Sequence, residues 1–167
     1  MGRWGGSRPV RRVTVGGQTR ASGNSADYRD RFEVSIPGAD MRTAEQWMRA
    51  VFEDAPRPVR WFLLLGWRGV LGLRLGPRPS PDHILGWWIA EMSPEEVHLE
   101  LYSALMKAQL TLHVSSSTAV WSTDVSYTKP LARPLWAAVG VIHRQIVPSL
   151  LGRAASFPQT ATLSSTN

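Results

Sequence analysis

The sequence predicts an α+β domain in which a strand, two helices, an antiparallel meander and one long closing helix follow in order. Three observations lead there. Tyr28, Phe32, Val34 and Ile36 alternate with Arg29, Arg31, Glu33 and Ser35 before Pro37-Gly38, which is the period of a half-buried strand and its stop. From His83 to Thr128 the chain alternates again around two short turns. From Pro134 to Leu151, apolar residues recur at three- and four-residue spacing, the stripe of an amphipathic helix.

Each element has a local cause. Thr43 followed by Gln46 is a capping box, and Ala44, Trp47, Met48, Val51 and Phe52 then share one face, so a first helix runs from Ala44 to about Asp54. Ala55-Pro56-Arg57-Pro58 ends it and starts a second helix, which fades near Gly69 and Gly72. Gly76 to Pro81 is a proline-rich loop. A two-residue turn at Pro94-Glu95 sets Met92 against Val97, Ala90 against Leu99 and Trp88 against Leu101 on a core side, with Glu91 against His98 and Trp87 against Tyr102 outside. A two-residue turn at Ser116-Ser117 sets Val114 against Ala119, Leu112 against Trp121, Leu110 against Thr123 and Ala108 against Val125. A three-residue turn there would move Trp121 to the polar face, which segregates the residues less well. The closing helix carries Leu135, Trp136, Val139, Ile142, His143, Ile146, Leu150 and Leu151, with Pro148 inside it.

The length of 167 residues and 43% hydrophobic content suit one domain with a core. The absence of cysteine excludes disulfides, thiol catalysis and cysteine-ligated metals. The net charge of +6 is unevenly placed: Met1 to Ala26 holds five arginines and no acid, leaving 14 basic against 13 acidic residues in the rest. A nearly neutral domain argues against nucleic acid as partner. The Gly/Ser/Arg-rich stretch 1–26 reads as a disordered basic tail and 154–167 as a disordered polar tail, with the domain between them at 27–153. Arg11-Arg12 lacks the apolar region of an export signal, and Val59 to Leu75 is too short and too charged for a membrane span, so a cytoplasmic protein without a transmembrane segment is expected.

Three short segments carry a resemblance: Ile84-Leu85-Gly86-Trp87, Arg133-Pro134-Leu135-Trp136, and His143-Arg144 followed by Val147-Pro148. With the element order, they make the stretch from Asp27 to Arg153 resemble the START/polyketide-cyclase (SRPBCC) superfamily, an uncharacterised bacterial branch of it. The resemblance implies a helix-grip fold, in which a curved antiparallel sheet wraps the C-terminal helix over a cavity for a lipid, polyketide or other small apolar molecule. It transfers no catalytic residue.

Candidate site residues follow from which positions face that cavity. Trp88, Leu101, Leu112 and Trp121 face inward by register, Trp136 and His143 face the sheet from the helix, and Ser103, Thr123 and Tyr127 are polar groups of the same face. Each has a plainer alternative: tryptophans fill cores, a helix-edge histidine is commonly satisfied locally, and Ser and Thr bond across strands. His83, His98 and His113 share no metal-site spacing, and no phosphate-loop, dinucleotide, hydrolase or zinc-protease motif occurs, so neither metal nor cofactor is expected. Three functions stay open: a binder of an apolar ligand; a cyclase- or dehydratase-type enzyme with His143 transferring a proton; and a ligand-free interaction module docking through Trp87, Ile89 and Tyr102. The oligomeric state is left open.

Overall fold

The hairpin of β6 (Met106–Val114) and β7 (Thr118–Tyr127) pairs Val114 with Ala119, Leu112 with Trp121, Leu110 with Thr123 and Ala108 with Val125. That is the register which puts Leu110, Leu112, Val114, Trp121 and Val125 on one face, and Trp121 and Leu112 are 1% and 0% exposed. Around this hairpin the computed structural model, which describes residues 8–13, 26–36, 38 and 40–157, builds one antiparallel sheet. Its other strands are β1 (Val10–Arg12), β2 (Tyr28–Ser35), β3 (His83–Ile84), β4 (Trp87–Met92) and β5 (Glu96–Tyr102). The spatial order is β1-β2-β7-β6-β5-β4-β3. Helices α1 (Ala44–Phe52) and α2 (Arg57–Leu65) leave the sheet after β2, and α3 (Ala132–Ser156) closes the chain. The fold is therefore α+β of the helix-grip type. No helix among the described residues is long and apolar enough to cross a membrane.

Local chemistry fixes the helices. Thr43 accepts from the Gln46 amide while the Gln46 side chain accepts from the Thr43 amide, completing the capping box. Pro58 sits in the first turn of α2, where its missing N–H removes nothing. Past Leu65 the helix widens into a π-helical turn, Gly66–Val70, which carries Trp67 under the sheet. Helix α3 packs on α1, β1 and β2, burying Trp136, Val147, Leu150 and Leu151.

The first hairpin departs from the expected register. Met92 opposes Val97 and Glu91 opposes His98 as expected, but a bulge between Ile89 and Glu91 then sets Ile89 against Leu99 and Trp88 against Glu100. The shift turns every residue before it to the opposite face. Trp87 is buried at 3% exposure and Trp88 is half-exposed at 49%, the reverse of the expectation that Trp88 faces the core and Trp87 the solvent. The β3–β4 turn enforces the same result. Leu85 and Gly86 have φ of 47° and 92°, the two left-handed positions of a tight hairpin turn, so Ile84 pairs with Trp87 and both point inward.

The expected tails also need correction where residues are described. Val10–Arg12 lies in the stretch read as a disordered tail, yet it pairs with Val34, Glu33 and Phe32 of β2, and Arg11 bonds Glu33 at 3.1 Å. Composition averaged over 26 residues hides a three-residue strand. At the other end α3 runs three residues past Arg153, because Ala154 and Ala155 are buried and continue its apolar stripe. The remaining tail residues, 1–7, 14–25 and 158–167, lie outside the described residues.

Candidate functional site

The inner face of the sheet and α3 do not meet along their whole length. Between them lies a cavity of about 310 Å³. Its sheet side is formed by Ala108 and Leu110 of β6 and Trp121 and Thr123 of β7, and its helix side by Trp136, Val139, Ile142, His143, Ile146 and Val147. An edge-to-face run of rings closes one wall: Trp121 against Phe52 at 5.4 Å, Phe52 against Trp67 at 5.3 Å and Trp67 against Trp87 at 5.4 Å. Phe62 and Leu65 of α2, Val70 of the π turn and Ile142 of α3 also line it, and all four are at least half or nearly half exposed. They form an apolar mouth.

Apart from indole nitrogens, the side chains lining the cavity are apolar except for Thr123 and His143. These two belong to a buried polar cluster whose centre is Asp30 of β2, with a side chain 0% exposed. Asp30 is cross-strand neighbour to Thr123. Its Oδ2 accepts from the Tyr28 hydroxyl at 2.7 Å and lies 3.2 Å from His143 Nε2. The same Nε2 is 3.1 Å from Thr123 Oγ1, which in turn accepts from the Trp121 indole N–H at 2.9 Å. Trp136 stacks beside the cluster, its ring 5.2 Å from Tyr28 and 5.5 Å from His143.

The electrostatics follow from that geometry. Burial alone would raise the Asp30 pKa, but the hydrogen bond and charge of His143, with bonds from Tyr28 and Thr123, outweigh it and hold the carboxyl below its ordinary value. Asp30 is thus a buried carboxylate that stays ionised. The Tyr28 hydroxyl is pushed up to about 12, first by burial and then by its bond to Asp30, so it remains a donor. Three buried polar atoms here have no partner among the described residues: Asp30 Oδ1 and the indole nitrogens of Trp87 and Trp136. Buried polar groups are rarely left so.

Of the nine expected site residues, the structure brings Trp121, Thr123, Trp136 and His143 to the cavity. Leu101 and Leu112 are buried in the core but do not line it. Ser103 caps the β5–β6 turn, accepting from the amides of Leu105 and Met106 at 3.1 Å. Tyr127 sits at the end of β7, where its amide donates to Asp27 at 2.7 Å; burial and then the Asp27 charge raise its phenol pKa. Trp88 is on the outer face, for the reason given by the bulge. Sequence reasoning missed Asp30, Tyr28, Trp87 and Trp67. Asp30 had a signal: it occupies the inward parity between Tyr28 and Phe32, where a carboxylate has no place without a buried partner.

A sheet gripping a long helix over an apolar cavity, with one ionised cluster at its wall, defines the class: a helix-grip α+β protein. Residues 23–150 match the family described as a protein of unknown function, DUF2867, and the chain belongs to that family. No curated protein and no solved structure matches the chain.

Proposed function

We propose that this chain is a START-like (SRPBCC) binder of a small, mostly apolar molecule that carries one polar group, held between the sheet and α3. The observation that carries this reading is the cavity itself: about 310 Å³, walled by aromatic and aliphatic side chains, with His143 and Thr123 as its polar contacts. Such a volume is at the lower end for ligand pockets, which are mostly apolar with a few placed polar groups. The unpartnered Trp87 N–H supports the polar group, because a ligand oxygen beside it would satisfy a donor that is otherwise costly to bury. The apolar mouth supplies an entry path.

The test has two arms. Native mass spectrometry of protein purified from its own host should show a co-purified molecule. Substitution Ala108→Phe, at a 3%-exposed position on the cavity wall, fills the space and should abolish that adduct while the far-ultraviolet circular dichroism stays that of the parent. An adduct that survives Ala108→Phe would place the ligand elsewhere and end this reading.

A further inference from the structure

A binding pocket needs a polar contact, but it does not need an ionised carboxylate buried behind that contact. Burying Asp30 is costly in any protein, and binding an apolar molecule gives no reason for it. We propose that His143 is a general base acting on the occupant of the cavity and that Asp30 is its positioning residue. This rests on the cavity reading above and adds a reaction to it.

The tautomer argument decides which nitrogen acts. His143 Nε2 faces both Asp30 Oδ2 at 3.2 Å and Thr123 Oγ1 at 3.1 Å. If Nε2 carried a lone pair, that pair would face the carboxylate, with both groups able only to accept. With the proton on Nε2 the ring donates to Asp30 instead, while Thr123 Oγ1 accepts from the Trp121 indole N–H. Asp30 therefore fixes the Nε2–H form and leaves the lone pair on Nδ1, which has no hydrogen-bond partner among the described residues. His143 lines the cavity with its side chain 16% exposed, so the basic nitrogen belongs to a ring the occupant touches. The arrangement has the logic of base plus orienter, with the carboxylate stabilising the imidazolium formed when Nδ1 takes a proton.

The substrate class follows from what surrounds the base. The wall is mostly aromatic and aliphatic, and two of its residues, Trp87 and Trp136, have buried, unpartnered indole N–H groups, which suits an apolar β,γ-unsaturated carbonyl compound with an acidic C–H between the carbonyl and the double bond. Nδ1 removes that proton, the C–H electron pair becomes a C=C bond of the dienolate, and the carbonyl π pair moves to oxygen. The imidazolium returns the proton to the γ carbon of the dienolate, the C=C bond moves to the α,β position, and the C=O re-forms. The product is an isomer, and no oxidant, reductant or second substrate is consumed.

5-Nitrobenzisoxazole is the probe, a flat apolar molecule whose C–H proton goes to a base as its N–O bond breaks to release a coloured nitrophenolate. Its binding is read separately by quenching of the cavity tryptophans. In the intact protein we expect quenching and turnover. His143→Gln should bind the probe within about tenfold and lose turnover by about 10²-fold or more, the usual contribution of a general base. Asp30→Asn should lower kcat by about tenfold or more with KM within about threefold, because Asp30 does not line the cavity. Quenching without turnover, or turnover that survives His143→Gln, overturns the base and leaves the binding reading standing. Absence of quenching overturns the cavity reading beneath it. Should Asp30→Asn fail to fold, ¹⁵N chemical shifts of His143 in the parent protein still decide: the proton on Nε2 supports the proposal, and the proton on Nδ1 refutes it.

Discussion

Asp30 and Asp40 are both carboxylates with 0% exposed side chains, and each faces a nitrogen donor, but the two pairs are built in opposite ways. Asp40 is matched by Arg42 two residues along the chain, through bonds of 2.9 and 3.1 Å from Arg42 Nε, and the guanidinium also donates to the Ala154 carbonyl at 3.0 Å and covers the Trp47 ring at 4.0 Å. Its partner is permanently charged and planar. Asp30 is matched by His143 on a different element, shares its partner with Thr123, and keeps Oδ1 without a partner among the described residues. Its partner is an imidazole rather than a fixed charge. A carboxylate meant only to tie α3 to the segment before α1 is served by the first design. The second gives up satisfaction of one oxygen and places a titratable ring on a cavity wall, which is the pattern of a site.

The comparison breaks most visibly at Arg42. Removing one partner of a buried pair leaves an uncompensated charge, so Arg42→Ala should cost about 3–5 kcal/mol of stability in denaturant titrations. Probe quenching by the fraction that remains folded should match the parent, since neither Asp40 nor Arg42 lines the cavity. If probe affinity fell tenfold while the fold survived, the Asp40 pair would be coupled to the site and the contrast between the two carboxylates would fail.

How far the sequence discloses these features depends on whether the information is local. The capping box of α1 and the register of β6–β7 are set by residues that touch their near neighbours, and both stand as the alternation implies. The β4–β5 register is not local. One extra residue at Ala90 reverses the inward and outward assignment of Trp87 and Trp88, and a bulge leaves little trace in a pattern where Trp87, Trp88, Ile89 and Ala90 are all apolar. The site divides the same way. Thr123, Trp121, Trp136 and His143 were legible because each lies on a regular face. Asp30 pairs with a residue 113 positions away, so its role appears only when α3 is laid across β2.

A smaller effect separates the carboxylates by pH. Folding lowers the pKa of Asp30 from its ordinary value of 3.8, so the ionised form contributes stability that is complete above that value and is lost as pH falls through the lower, folded one. Asp30→Asn should therefore be less stable than the parent by about 1.5–3 kcal/mol near pH 7, the size of hydrogen bonds to a charged group. The difference should shrink as the pH is taken below 3.8. Urea titrations of both proteins at pH 7 and pH 3 check this. A difference that stays constant would mean that the Asp30 charge contributes nothing and that only its shape matters.

The smallest effect concerns the strand that holds Asp30. β2 lies between β7, which pairs along its whole length, and β1, which pairs with only three of its residues. Pairing of β1 adds the Val13 amide bond to Arg31 at 2.9 Å and the exposed Arg11–Glu33 contact, each worth about 1 kcal/mol or less. Because β7 pairs with every residue of β2, deleting residues 1–13 should shift the denaturation midpoint little and should leave the Asp30–His143 cluster, held by β7 and α3, with unchanged probe quenching. The deletion does uncover the backbone edge of β2 beside Phe32 and Val34, and an unpaired edge invites a second chain. The molar mass of the truncated protein from light scattering should therefore rise with concentration where that of the parent does not. A midpoint shift of several degrees without association would show instead that β1 is part of the core support of β2, and that Asp30 is held from both sides.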